Sequence, residues 1–121
     1  MKKMVSMTLI GLLLIGVNTF GEMVAGARPA ERTIHLAAKK FEFTPGEINA
    51  KKGESIVLEV TSEDVTHGFN LPDFGVRGDV KPGVVARFHF TPDKTGQFTF
   101  TCDVFCGSGH EEMSGTLRVT E

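Results

Sequence analysis

A chain of 121 residues with 40% hydrophobic content suits one packed domain and excludes two ordinary cores. Its formal charge of −2, with acidic and basic residues interleaved, excludes the basic face that nucleic acid requires and the acidic run of a solvated tail. With ten Phe and neither Trp nor Tyr, the core is expected to rest on Phe packed with Val, Ile and Leu, and the 14 scattered Gly predict many turns between short strands.

Residues 1–27 read as a signal peptide. Lys2 and Lys3 begin it, the apolar run Leu9, Ile10, Leu12, Leu13, Leu14, Ile15 and Val17 follows, and Ala25-Gly26-Ala27 offers the small-x-small pattern of a cleavage site. The apolar run is about a dozen residues, short of the ~20 that cross a bilayer as a helix. Cleavage is therefore the expectation, with retention as a membrane anchor the alternative. Removal would delete Lys2, Lys3 and Glu22 and leave a mildly acidic domain outside the cytoplasm. Residues 28–32 then serve as a short leader, and residues 33–121 as the domain.

Strand patterns dominate from Thr33 onward, with no apolar stripe of helical period. Thr33–Ala38 is the first predicted strand, followed by Phe41-Glu42-Phe43 and a turn at Pro45-Gly46. Lys51-Lys52-Gly53 is a turn before Ser55–Thr61, where Ile56, Leu58 and Val60 alternate toward the core. Residues 65–71 form a short apolar stretch ended by Pro72-Asp73. Val84–Phe90 alternates with Val84, Ala86, Phe88 and Phe90 inward. Gln97–Thr101 does so with Phe98 and Phe100, and Gly115–Thr120 with Leu117 and Val119. Turns recurring about every ten residues, with no intervening helix, predict an all-β single-domain sandwich.

The segment Cys102-Asp-Val-Phe-Cys106-Gly-Ser-Gly-His110-Glu-Glu-Met113 carries the chemistry. It puts two thiols, an imidazole and a thioether into one loop between two predicted strands. Thiolate and thioether are soft donors and imidazole is borderline, so the set favours copper over magnesium, calcium or manganese. Zinc is open to Cys and His alone, but would make little use of Met113. Gly107 and Gly109 permit a tight backbone path that converges the donors. Two cysteines in an exported protein are by default a disulfide; here it would close a very small loop and add little stability, and the neighbouring His110 and Met113 turn the reading toward metal. Taken singly, Met113 is a core residue and His67, in Asp-Val-Thr-His-Gly-Phe, a surface or core histidine. His35 and His89 lie in strand patterns and are expected in solvent.

Cys-x3-Cys-x3-His-x2-Met, preceded 35 residues before its first Cys by His-Gly-Phe, resembles the dinuclear purple-copper (CuA) domain of respiratory oxidase subunit II and of nitrous oxide reductase. The resemblance spans residues 33–121 and implies a cupredoxin-like Greek-key β-sandwich. It implies two copper ions bridged by Cys102 and Cys106 and capped by His67 and His110. Met113 and the backbone carbonyl of Val104 would be weak ligands. Val104 stands where the family often has Glu, a swap that spares a backbone ligand. The Trp that often serves as the family's electron entry is absent, and Phe69 or Phe105 are the candidates to line that route. The function implied is electron transfer with a partner such as a cytochrome c or a respiratory oxidase or reductase, in the periplasm or another extracytoplasmic space, with no turnover chemistry of its own. A freestanding member is expected, not a standard oxidase subunit. Two alternatives stay open. One is a mononuclear blue-copper site using His67, Cys106, His110 and Met113. The other is a copper chaperone or buffer serving an oxidase.

Overall fold

A computed structural model describes residues 30–121; the expected signal peptide lies outside these described residues. Among the described residues nine strands form two sheets: β1 (Arg32–Lys39), β2 (Glu42–Thr44), β3 (Glu47–Lys51), β4 (Ile56–Ser62), β5 (His67–Leu71), β6 (Val76–Val80), β7 (Ala86–Phe90), β8 (Gly96–Thr101) and β9 (Ser114–Thr120). One sheet has the order β2-β1-β4-β7 and the other β3-β9-β8-β5-β6. The chain crosses between sheets repeatedly, and parallel pairs (β1 with β4, β3 with β9) sit beside antiparallel ones. The predicted all-β sandwich is therefore the observed architecture.

Period-two alternation explains which residues fill the space between the sheets. Ile56, Leu58 and Val60 of β4 and Leu117 and Val119 of β9 are buried, as their patterns predict. The centre is aromatic: Phe100 lies 5.3 Å, centroid to centroid, from both Phe43 and Phe69, and Phe69 stacks on Phe88 at 5.3 Å. Offset and edge-on packing of this kind adds to the area term of a core.

The structure departs from the sequence reading at four places. Val84 is 60% exposed, not inward, because β7 starts only at Ala86 and the Pro82-Gly83 turn carries Val84 and Val85 out into solvent. β3 was not predicted; its apolar content is only Ile48 and Ala50, which pair alongside β9. β6 was not predicted either. Its sequence Val-Arg-Gly-Asp-Val has apolar residues only at its two ends, and Gly78 gives room there, since a Cβ would meet the Phe88 ring at 2.6 Å. The first strand also begins at Arg32, the last residue of the expected leader. Among the described residues no helix is long and apolar enough to cross a membrane.

Candidate metal centre

The loop 102–113 leaves β8 and re-enters β9 at a closed antiparallel pair. Thr101 registers with Ser114, and the Cys102 N–H donates to the Met113 carbonyl at 3.1 Å. Inside the loop, His110–Glu112 forms a single 3-10 turn: the N–H groups of His110, Glu112 and Met113 donate to the carbonyls of Gly107, Gly109 and His110. Gly107 has φ +140°, a conformation that side chains rarely adopt. The Phe41 ring covers this stretch: a Cβ on Gly107 would lie 2.8 Å from Phe41 Cε1, and one on Gly109 would overlap the ring. Two glycines are thus the condition for a closely packed loop under an aromatic cover.

β5 delivers His67 from the same sheet, fully buried, to the start of this loop. Its Nδ1 is 3.9 Å from Cys102 Sγ; Cys102 Sγ is 3.6 Å from Cys106 Sγ; Cys106 Sγ is 3.7 Å from His110 Nδ1 and 3.9 Å from Met113 Sδ. The Val104 carbonyl accepts from Cys102 Sγ at 3.1 Å, and the Gly68 N–H donates to the same sulfur at 3.4 Å. All six positions named from the sequence are therefore brought together. Donor atoms of His67, Cys102 and Cys106 lie within 4.8 Å of one another.

Both cysteines are free, and 3.6 Å is far outside the ~2.05 Å of a disulfide bond. Burial, and then the neighbouring Cys102 thiol, push Cys106 up to about 11. Two adjacent thiolates in a dry site are disfavoured unless a cation neutralises them. The chemistry of the donor set thus fits a soft cation: two sulfurs to carry its charge, two imidazole nitrogens on opposite flanks, and a thioether and a carbonyl at longer range.

Asp64, absent from the sequence reading, completes the site. His67 Nε2–H donates to its carboxylate at 2.7 Å, which leaves Nδ1 as the free lone pair facing the sulfurs. The Lys40 backbone N–H, then His67 and the Val65 N–H, lower Asp64 from 3.8 to about 2, so it is a fixed negative charge at neutral pH. An acid three residues before a histidine was a visible signal for it. Phe41 had none, since its role depends on the β1–β2 turn crossing the loop. The two phenylalanines expected near the metal differ in place. Phe69 belongs to the core, whereas Phe105 is 79% exposed with its ring 5.9 Å from that of His110. His35 and His89 lie on the outer sheet face, paired with Glu59 and Glu31, as solvated histidines would.

Fold and site together define a cupredoxin-like protein, and the profile of the cupredoxin-like domain family matches residues 7–119. The chain belongs to this family. Subunit 2 of cytochrome c oxidase from Thermus thermophilus is 33% identical over 100 residues, which cover 83% of this chain and 74% of that protein. Nitrous-oxide reductase from Cupriavidus necator is 35% identical over 91 residues, 72% of this chain but only 14% of the reductase. Among solved structures, the periplasmic domain of subunit II of cytochrome oxidase from Bradyrhizobium japonicum superposes with a TM-score of 0.68 at 29% identity, covering 74% of this chain and 83% of that one.

Proposed function

We propose that this protein is an extracytoplasmic one-electron carrier in which Cys102 and Cys106 bridge two copper ions. His67, His110, Met113 and the Val104 carbonyl complete the ligation. The observation that carries this reading is the placement of two free thiols 3.6 Å apart with a different imidazole beside each sulfur. A mononuclear site on His67, Cys106, His110 and Met113 would leave Cys102 idle, although it sits between His67 and Cys106. Relatives that are subunits or enzymes of oxidoreductase systems support the copper and electron-transfer class.

Copper, when bound, supplies a one-electron couple spread over two metal ions and two sulfurs. The chain's own residues keep that couple rigid. The β8–β9 pair fixes both ends of the loop, Asp64 holds the His67 ring, and Phe41 closes over Gly107 and Gly109. A ligand set that moves little on a change of charge lowers the barrier to electron exchange, and ligation wholly by protein leaves no position for a substrate. The protein therefore has no turnover chemistry of its own. Phe105, exposed beside His110, offers an apolar contact to a redox partner such as a cytochrome c or a respiratory oxidase or reductase.

Copper analysis and EPR of the loaded protein test this. Two copper ions per chain and hyperfine splitting from two equivalent nuclei are expected. A single-copper pattern that survives Cys102→Ser would establish the mononuclear site instead. One-way transfer of Cu(I) to an apo-oxidase domain, without electron exchange, would establish a chaperone.

A further inference from the structure

The spacer between the two cysteines, Asp103-Val104-Phe105, has no regular secondary structure. Among the described residues its only side-chain hydrogen bonds come from Asp103, and they go to one partner. Arg77 Nε donates to Asp103 Oδ2 at 2.5 Å, and Nη2 donates to Oδ1 at 3.1 Å. Nη2 also reaches Asp79 Oδ1 at 3.2 Å, which aims the guanidinium. This is a two-point, charge-assisted contact of the kind that fixes geometry as well as adding energy.

The register shows how the contact spans two strands. Arg77 and Asp79 lie on β6, opposite Asn70 and Gly68 of β5. Gly68 has no side chain to fill the gap between β6 and the loop. A Cβ there would overlap Asp103 Oδ1 and come within 3.0 Å of both Val104 N and Val104 Cγ2. Arg77 therefore reaches across a lane that Gly68 leaves open. The same Gly68 donates its N–H to Cys102 Sγ. Immediately after Asp103, the Val104 carbonyl points at that sulfur from 3.1 Å.

We propose that Arg77 is a positioning residue for the metal centre: by gripping Asp103 it sets where the Val104 carbonyl stands relative to Cys102, and so tunes the reduction potential and spectrum. This rests on the dinuclear reading above. Arg77 contacts no ligand atom, and its effect passes through one residue of backbone.

The test compares Arg77→Gln, Arg77→Lys, Asp103→Asn and the double variant Arg77→Gln/Asp103→Asn. For each, copper stoichiometry, visible absorption, EPR hyperfine pattern and reduction potential are measured, with NMR order parameters of the backbone amides in the copper-free chain. Positioning predicts that all the single variants move the potential and spectrum in the same direction and that the double variant adds nothing further. Backbone order parameters of the Val104 and Phe105 amides should fall from a rigid value of about 0.85 toward ~0.6. A purely electrostatic influence predicts the opposite. Loss of the Arg77 charge would lower the potential, loss of the Asp103 charge would raise it, the double variant would cancel, and Arg77→Lys would match the wild type. That outcome overturns the proposal, as do unchanged backbone order parameters in the spacer. Arg77→Lys keeps the charge balance and guards against a variant that fails to fold. A wild-type chain that does not hold two copper ions sinks the functional reading alone, and the order parameters of the copper-free chain still decide whether Arg77 fixes the spacer.

Discussion

Replacing Gly109 by Ala separates steric closure of the loop from backbone strain. Gly109 has φ −96° and ψ 11°, which Ala adopts freely, so the substitution carries no conformational penalty. It should even stabilise by ~0.4–1 kcal/mol through the unfolded chain. Against this, the new Cβ would overlap Phe41 Cδ2 and Cγ and lie 3.0 Å from Cε2, so the ring or the loop must move. Overpacking of this kind costs ~1–3 kcal/mol, for a net loss of about 1.3 kcal/mol at mid-range. In a domain of this size that is a fall in Tm of about 5–10 °C. In a Phe41→Ala background the same Gly109→Ala change should become neutral or stabilising. Gly107→Ala is the internal control: at φ +140° it stays destabilising in both backgrounds, because strain there does not depend on the ring. Thermal unfolding of the copper-free variants followed by far-UV circular dichroism gives all the numbers. An equal cost for Gly109→Ala with and without Phe41 would refute the account of the loop as closed by that ring.

Phe105→Ala should leave absorption and EPR unchanged while slowing electron exchange with a cytochrome partner several-fold, since the ring is exposed beside His110; a changed spectrum would show that the ring supports the site itself. The Asp64 carboxyl, followed by carbon NMR in the copper-free protein, should titrate near 2 in place of 3.8. Because its folded value is depressed, the stability it contributes is present above pH 3.8 and lost as pH falls toward 2, so Asp64→Asn should flatten the acid limb of the stability curve. Cys106 runs the other way: its raised value keeps the thiol protonated, and its contribution, present below pH 9.0, is lost as pH rises toward about 11. Copper uptake at neutral pH should accordingly release protons, measurable in weakly buffered solution; uptake without proton release would contradict a protonated Cys106.

How much of this was legible in the sequence follows from range. The donors within 102–113 are local, so their spacing alone announced a soft-metal loop, and alternation in β4, β8 and β9 announced a sandwich. His67 lies 35 residues away from Cys102 and was reached through resemblance, because nothing local distinguishes it from a surface histidine. Strands β3 and β6 went unread because each has only two apolar residues; pairing with β9 and β5, not their own pattern, makes them strands. Val84 was misassigned because alternation does not reveal where a turn stops and pairing starts. What the sequence determined by itself was the donor set and its metal preference, since these depend on residue type and short spacing. What only the tertiary structure decided was the setting: Asp64 on His67, Phe41 over the glycines, and Arg77 across the Gly68 lane to Asp103. Each joins elements distant in the chain, and only packing brings them to one end of the sandwich.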